Sequence, residues 1–154
     1  MAPLSIRRLG AADRAPARTL FALFARVFET DAQVLSDDAL ELRLRDPAFW
    51  ALAAYDGDTI VGGLTAHTLP MTRDASHEIL IYDLAVDPAH QRTGVARATV
   101  DTLRALARAD GIEVVLVMAD NEDTHALDFY RAVGGTPHPV TLFVFGDDAT
   151  DDDQ

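Results

Sequence analysis

With 154 residues, the chain suits one compact domain that buries roughly two thirds of the surface exposed by its unfolded form. Although 49% of the residues are hydrophobic, no apolar run approaches the roughly 20 residues that span a bilayer, so we expect a soluble, cytoplasmic protein with no membrane partner. The absence of cysteine excludes disulfides, thiolate metal ligands and a cysteine nucleophile. Acidic residues outnumber basic ones 25 to 13, and the net charge of -12 disfavours nucleic acid and favours a cationic ligand.

The first third of the chain predicts a short strand and two helices. The strand is LSIRRL, and Asp13 is a candidate cap for the helix RAPARTLFALFARVF, whose apolar stripe contains Leu20, Phe21, Phe24 and Val27. A second helix is predicted over residues 36–45, with Ser36 as its cap and with Leu40 and Leu44 on its apolar face.

The pattern then changes to that of a sheet. FWALAAYDGDTIVGGLTAHTL predicts two antiparallel strands joined at Asp56, Gly57 and Asp58, because Asp-Gly between two β-rich runs is typical of a hairpin. EILIYDLAV predicts a central strand that carries a single acid, Asp83, after its first residue and stops at Asp87-Pro88.

The last part of the chain predicts alternating helices and strands. An amphipathic helix over residues 94–109 and the strand EVVLVMA follow the central strand and form a parallel crossover unit with it. A helix, THALDFYRAVGG, and a final strand, PVTLFVF, complete the predicted domain, residues 1–146. Residues 147–154 form an acidic tail that we expect to be disordered.

HQRTGVARA, between the central strand and the next helix, predicts a loop that binds an anion. Gln91 is followed at the third and fifth positions by Gly94 and Ala96. Such a loop at a helix start directs backbone N–H groups to one point, and Gly94 lacks the Cβ that would keep an anion away. The loop matches neither the P-loop nor the dinucleotide-binding pattern, which favours CoA over ATP or NAD. Alone, the motif is also compatible with an ordinary turn.

The order of elements, this motif, YDLAVDPAHQRTG and ALDFYRAVGG together resemble the GNAT superfamily of N-acetyltransferases. The resemblance implies an α/β (α+β) fold with a mixed sheet of six to seven strands flanked by about four helices, and acetyl-CoA as co-substrate. It also implies two groups of cofactor-binding residues. The pantetheine arm would contact the backbone of Leu84, Ala85 and Val86, and the pyrophosphate loop would contain Gln91, Arg92, Thr93, Gly94, Val95 and Ala96.

An amine attacks only when it is neutral, so an acetyltransferase needs a base or a water chain that leads to one. Asp83 is the favoured base, because a carboxylate in so apolar a strand is costly to bury unless it is paired or lies at a cleft. The alternative is that Asp83 pairs with an arginine or caps a backbone group. Glu78 is the second candidate, and a substrate-binding acid or a solvated strand end are its other interpretations. On a strand without a bulge, Asp83 and Glu78 face opposite sides.

Tyr130 lies where the superfamily places the tyrosine that protonates the leaving thiolate, and the resemblance assigns the oxyanion to the Val86 N–H group. Without the resemblance, Tyr130 reads as a core residue between Leu127 and Val133. The five histidines show no ligand spacing, and neither Ser36 nor Ser76 lies in a nucleophile elbow. We therefore expect no metal and no serine hydrolase chemistry.

Residues 49–135 also resemble the aminoglycoside 3-N-acetyltransferases that confer gentamicin and fortimicin resistance, most closely in EILIYDLAV. The resemblance implies antibiotic resistance through acetylation of an aminoglycoside amine, a polycation that acids would bind: Glu78, Asp83, Asp120, Glu122 and Asp123. A solvated loop capped by Asp123 is the alternative for the last three. Another small-molecule or protein amine, or a non-catalytic acetyl-CoA-binding module, remain open. A homodimer through an exposed final strand is possible on this pattern.

Overall fold

A computed structural model describes residues 3–31 and 33–146 of the chain. Contacts divide the chain into two compact units, Met1–Ala119 and Asp120–Gln154. The first unit contains β1 (Leu4–Arg8), α1 (Arg14–Phe28), α2 (Asp37–Arg45), β2 (Phe49–Asp56), β3 (Thr59–Pro70), β4 (His77–Val86), α3 (Val95–Ala109) and β5 (Val114–Val117). A short 3-10 turn, Pro88–His90, precedes α3, and the second unit contains α4 (Thr124–Ala132).

Within the described residues the sheet has five strands in the order β1-β2-β3-β4-β5. β1 to β4 are antiparallel, whereas β4 and β5 are parallel. The hairpin predicted at Asp56-Gly57-Asp58 is confirmed, and Gly57 has the left-handed φ of 62° that such a turn favours. The predicted parallel crossover is confirmed as β4-α3-β5, and β4 lies inside the sheet between β3 and β5.

Helices cover both faces of this sheet. α1 and α2 pack on one face, where their buried side chains meet Ala51, Ala53 and Ala85. On the other face Val95, the first residue of α3, packs with Ala54, Val61 and Val86. The pair Gly62 and Gly63 on β3 permits this close approach, because a Cβ at Gly63 would come within 2.6 Å of Leu20 and one at Gly62 within 3.2 Å of Val95. Leu20 is on α1, so adjacent glycines accommodate one helix on each face.

The two predicted helix caps differ in outcome. Ser36 caps α2 as predicted, because its Oγ accepts a hydrogen bond of 3.1 Å from the Ala39 N–H. Asp13 is at the cap position of α1, but the prediction of a side-chain cap is wrong. Its carboxylate instead accepts from the Gly10 N–H at 2.7 Å and pairs with Arg7 at 3.0 Å, and these interactions lower the pKa of Asp13. The side chain therefore ties β1 to the loop that leads into α1.

The predicted final strand PVTLFVF is not a strand in the structure. No strand follows α4 in the residues described up to 146, and residues 140–145 have exposed side chains. A strand exists only when a neighbouring strand takes its backbone hydrogen bonds, and local sequence does not supply that neighbour. The sheet consequently has fewer strands than the six to seven expected. None of the described helices is both long and apolar enough to span a membrane. The acidic tail, residues 147–154, lies outside the described residues.

Candidate functional site

A β-bulge in β4 places the two predicted acids on the same face of the sheet. Glu78 lies opposite Leu69 of β3, and Asp83 lies opposite Thr65. The register shifts between these pairs because Tyr82 is an extra residue in β4. Residues directly opposite in an antiparallel pair share a face, and Leu69 and Thr65 are four apart in β3, so Glu78 and Asp83 share theirs. The parity expected for an unbulged strand therefore does not apply to this strand.

Asp83 is held by a threonine that the sequence analysis did not select. The Thr65 hydroxyl donates a hydrogen bond of 2.6 Å to Asp83 Oδ2, and Thr65 is only 4% exposed. A charge-assisted hydrogen bond of this length is among the stronger ones in proteins. Neither of the alternatives, an arginine partner or a backbone cap, is the contact seen here. The only signal in the sequence was a hydroxyl within the otherwise apolar stretch IVGGLTA of β3.

Glu78 pairs with an arginine of the loop between β3 and β4. The Arg73 guanidinium lies 2.8 Å from Glu78 Oε1, and the Glu78 side chain is 16% exposed whereas that of Arg73 is 65% exposed. This contact raises the pKa of Arg73. Glu78 is therefore neither a fully solvated strand end nor an unpaired buried base. A solvent-exposed guanidinium therefore lies where a cationic ligand of Glu78 would bind.

The end of β4 has backbone groups without a strand partner on one side. Pairing of β4 with β5 stops at Ile81 and Val117 in the described residues. The Asp87 N–H donates to the Val61 carbonyl of β3 at 2.8 Å, so by the alternation of strand hydrogen bonds the N–H groups of Leu84 and Val86 point the other way. The Gln91 side chain confirms this direction, since its amide donates to the Val86 carbonyl at 3.2 Å. A slot bordered by backbone amides therefore opens beside the end of β4.

The loop after β4 has the backbone shape that the motif predicted. Arg92 and Gly94 both have left-handed φ angles, 62° and 87°, and a Cβ at Gly94 would meet nothing within 4 Å. The Thr93 hydroxyl donates to the His90 carbonyl and closes the loop. α3 begins directly after Gly94 with no side-chain cap and no acid in its first turn. Its first N–H groups lack intrahelical acceptors, so they can bind an anion, and the open loop leaves room for one.

The remaining predicted residues belong to the second unit. Asp123 caps α4 by accepting a 3.0 Å bond from the Ala126 N–H, and Asp120 accepts from the Glu122 N–H at 2.9 Å, while the Glu122 side chain is exposed. The capping role proposed for Asp123 is thus seen, and the substrate-binding role of these three acids stays a prediction. Tyr130 is half-buried, and its burial, together with the charge of Asp123, raises its pKa.

The structure thus brings part of the predicted set together within the first unit. Glu78 and Asp83 share one face of β4, and the slot at the end of the same strand leads into the loop of residues 91–96. Thr65 and Arg73, which contact the two acids, are additions that the sequence analysis missed. Chemically, the arrangement offers a carboxylate held by a hydroxyl, together with backbone N–H groups that can donate to carbonyl oxygens and anions.

The chain is similar to known acetyltransferases in sequence and in structure. A profile of the acetyltransferase (GNAT) family matches residues 17–134. The crystal structure of an aminoglycoside acetyltransferase, meta-AAC0020, from an uncultured soil metagenomic sample in complex with sisomicin has a TM-score of 0.89 and 32% sequence identity to this chain. That match covers 93% of this chain and 95% of that chain.

Two curated relatives carry other names. A mycothiol acetyltransferase from Geodermatophilus obscurus is 32% identical over 125 residues, which are 77% of this chain and 40% of that protein. The N-alpha-acetyltransferase RimI of Mycobacterium tuberculosis is 32% identical over 126 residues, 82% of this chain and 76% of that protein. The chain therefore spans less than half of the mycothiol acetyltransferase that it matches.

Proposed function

The chain belongs to the acetyltransferase (GNAT) family, and from that premise we propose that it transfers the acetyl group of acetyl-CoA to a primary amine of an aminoglycoside, at the 3-N position. The observation that carries the acceptor class is the likeness, over 93% of this chain, to an aminoglycoside acetyltransferase solved with sisomicin. The closer resemblance of residues 49–135 to the aminoglycoside 3-N-acetyltransferases supports acetylation at the 3-N position. The proposal places the reaction at the acid-bearing face of β4.

Acetyl-CoA supplies the acetyl group and a thiolate leaving group. In the proposal, the N–H group of Leu84 holds an amide carbonyl of its pantetheine arm in the slot beside β4, since an extended chain with amides can take the place of a missing strand there. The loop of residues 91–96 and the first turn of α3 hold the pyrophosphate, with Arg92 adding a positive charge. The side chain of Gln91 braces this loop against Val86.

Asp83 accepts the proton of the attacking amine, directly or through water, in this proposal. Its carboxylate is fixed by the 2.6 Å bond from Thr65, so it is oriented before the acceptor arrives. The Val86 N–H, three residues further along the same strand, stabilises the oxyanion that develops on the acetyl carbonyl. Base and oxyanion donor are then parts of one strand, which keeps their separation fixed.

Tyr130 donates a proton to the leaving thiolate. Its raised pKa keeps the phenol protonated at neutral pH, which is the state that a proton donor needs. Burial is the main cause of this shift, and the charge of Asp123 adds to it. This role rests on the resemblance of the α4 sequence to the family pattern.

The acceptor face combines negative charge with apolar surface. Glu78 and Asp83 lie on the same face as Leu80, which pairs with His67, and Leu116 of β5 lies beside Leu80. Aminoglycosides are polycations with apolar ring faces, so carboxylates can bind their ammonium groups and aliphatic side chains can contact their rings. The net charge of -12 attracts such a ligand over longer distances.

The test is acetyl-CoA turnover followed by release of free thiol. Because the chain has no cysteine, a thiol reagent detects only the CoA product. Gentamicin, sisomicin, fortimicin and kanamycin are compared with spermidine, a lysine peptide and a peptide with a free N-terminus, and the Asp83→Asn variant serves as the inactive control. Mass and NMR spectra of the product then identify the acetylated nitrogen.

Turnover confined to aminoglycosides, with the acetyl group on the 3-amine, is the expected result. Turnover that favours the free N-terminus would instead support the acceptor class in the name of the RimI relative, and would overturn the aminoglycoside proposal. Binding of acetyl-CoA with no turnover of any amine would indicate a non-catalytic module. The curated relatives named for other acceptors make this comparison necessary.

A further inference from the structure

The two partners of the ion pair between Arg73 and Glu78 differ in their exposure to solvent. The Arg73 side chain is 65% exposed, whereas the Glu78 side chain is 16% exposed, and the guanidinium lies 2.8 Å from Glu78 Oε1. Glu78 lies opposite Leu69 of β3 and beside Val114 of β5, so apolar residues border it on both sides. A carboxylate in such surroundings needs a counter-ion, and here the counter-ion is on the solvent side of the pair.

The loop that carries Arg73 is closed without this ion pair. The Met71 N–H donates to the Ser76 carbonyl at 3.0 Å, and the Asp74 carboxylate accepts from the Ser76 N–H at 2.8 Å. Both bonds lie within the loop between β3 and β4, and neither involves the side chain of Arg73 or that of Glu78. Because ion pairs with an exposed partner are weak, the guanidinium can leave Glu78 for water while the backbone of the loop stays in place.

Glu78 and Asp83 lie on the same face but well apart. The residues opposite them in β3, Leu69 and Thr65, are four apart, which separates the Cα atoms of the two acids by roughly 13 Å along the strand. An acceptor whose reacting amine lies at Asp83 can therefore reach Glu78 only with a second amino group. An alkyl amine is protonated near pH 7, so this group carries the same charge that Arg73 supplies in the free protein.

We propose that Arg73 is a specificity-determining residue, whose guanidinium neutralises Glu78 in the free enzyme and is displaced by a second ammonium group of the acceptor. The inference rests on the proposed function, because it takes Asp83 as the base and a cationic molecule as the acceptor. The exchange keeps Glu78 paired before and after binding, and the released guanidinium returns to water. The same competition acts on the acetylated product, which keeps its second ammonium group, and so favours product release.

Calorimetric titration of the CoA complex with sisomicin tests the exchange. Arg73→Gln should bind this polycation about 5-fold more tightly than the unmodified protein, because the variant lacks the competing ion pair. Arg45→Gln is the matched control, since Arg45 is 64% exposed, pairs with Glu41 at 3.9 Å, and its replacement changes the net charge equally. Equal or weaker binding by Arg73→Gln, an equal gain in the control, or no binding of sisomicin to any of these proteins would overturn the proposal.

Two further readouts identify Glu78 as the site of the exchange. In the Glu78→Gln background, Arg73→Gln should no longer tighten sisomicin binding, because no carboxylate remains for the two cations to share. The side-chain Nε–Hε NMR signal of Arg73, assigned by its absence from the Arg73→Gln spectrum, should move on addition of sisomicin toward its position in Glu78→Gln. A gain in affinity that persists without Glu78, or a signal that does not move, contradicts the exchange.

Turnover separates this inference from the proposed function. Sisomicin that binds with the expected dependence on Arg73 but is not acetylated would support the exchange and contradict the acceptor assignment. Sisomicin that is acetylated, but binds to Arg73→Gln as it does to the unmodified protein, would support the acceptor assignment and contradict the exchange.

Discussion

Two neighbouring regions of β4 differ in which atoms form their surface. At the end of the strand, backbone N–H groups of β4, the following loop and the start of α3 form the surface. In the middle of the strand, the side chains of Glu78 and Asp83 and their partners Arg73 and Thr65 form it. Backbone groups are the same whatever the side chains, so the first region suits a substrate that a whole family shares. Side chains differ between relatives, so in our proposal the second region binds the acceptor amine, which varies within the family.

Replacement of Asp83 by Asn should have the largest effect, because it removes the proposed base while keeping the shape of the side chain. We expect kcat/KM for the amine to fall by about 1,000-fold, within the range for loss of general-base catalysis. Acetyl-CoA affinity, which in our proposal depends on the backbone region, should be unchanged. Steady-state thiol release and calorimetric titration measure the two quantities. Asp58→Asn, at an exposed hairpin residue, is the control, and equal activity of both variants would remove Asp83 from the mechanism.

Replacement of Tyr130 by Phe should lower kcat by about 100-fold, since the leaving thiolate loses its proton donor. Because burial raises the pKa of Tyr130 above that of free tyrosine, about 10, the unmodified enzyme should show no loss of kcat from this residue below that pH. The alkaline side of a pH profile of kcat tests this expectation. Tyr55→Phe removes a different phenol, and a similar loss in that variant would indicate a general effect on folding.

Gly94→Ala tests the backbone region with Gly111→Ala as its matched control. Both glycines have left-handed φ angles, 87° and 79°, and open space where a Cβ would be, so each substitution should cost about 1 kcal/mol of folding free energy through the same backbone strain. Only Gly94 lies in the proposed pyrophosphate loop. The KM for acetyl-CoA should therefore rise about 10-fold in Gly94→Ala, because one charge-assisted contact is lost. It should stay unchanged in Gly111→Ala. Similar values in both variants would place the pyrophosphate elsewhere.

Thr65→Val should have the smallest effect. It keeps the volume of a buried side chain and removes the hydroxyl that orients Asp83, so we expect kcat to fall about 5-fold while acetyl-CoA binding is retained. Thr65→Ser restores the hydroxyl and should recover most of the lost rate. If Thr65→Ser is as slow as Thr65→Val, the hydroxyl does not orient Asp83 and Thr65 contributes packing alone.

Features that local backbone chemistry determines could be predicted from the sequence. The Asp-Gly hairpin, the β4-α3-β5 crossover, the Ser36 cap and the glycine loop at residues 91–96 follow from short patterns, and the structure has each of them. Contacts between residues that are far apart in the sequence were harder to predict. Nothing near Asp83 in the sequence indicates that Thr65 lies opposite it, because that pairing depends on the register of two strands. Asp13 similarly bonds to Gly10 and Arg7 rather than to its own helix.

The segment VTLFVF is a second case in which local sequence alone was insufficient. Its composition predicts a strand, and composition is correct about its apolar character, but a strand also requires a neighbour. In the described residues that neighbour is missing, so the segment is exposed rather than paired. Whether an apolar run becomes a strand is thus determined by the availability of a neighbouring strand as much as by the run itself.

The extra residue in β4 also determines how the chain can vary between relatives. Tyr82 is exposed, so a different side chain at this position disturbs little of the core. Its removal would be different in kind, because the strand would regain simple alternation and one half would turn over relative to the other. Either Asp83 would then move toward the face that α3 covers, or Ile79 and Ile81 would leave it. Position 82 should therefore accept many substitutions across related sequences but no deletion, and an alignment that places a gap there would misassign every residue on one side of it.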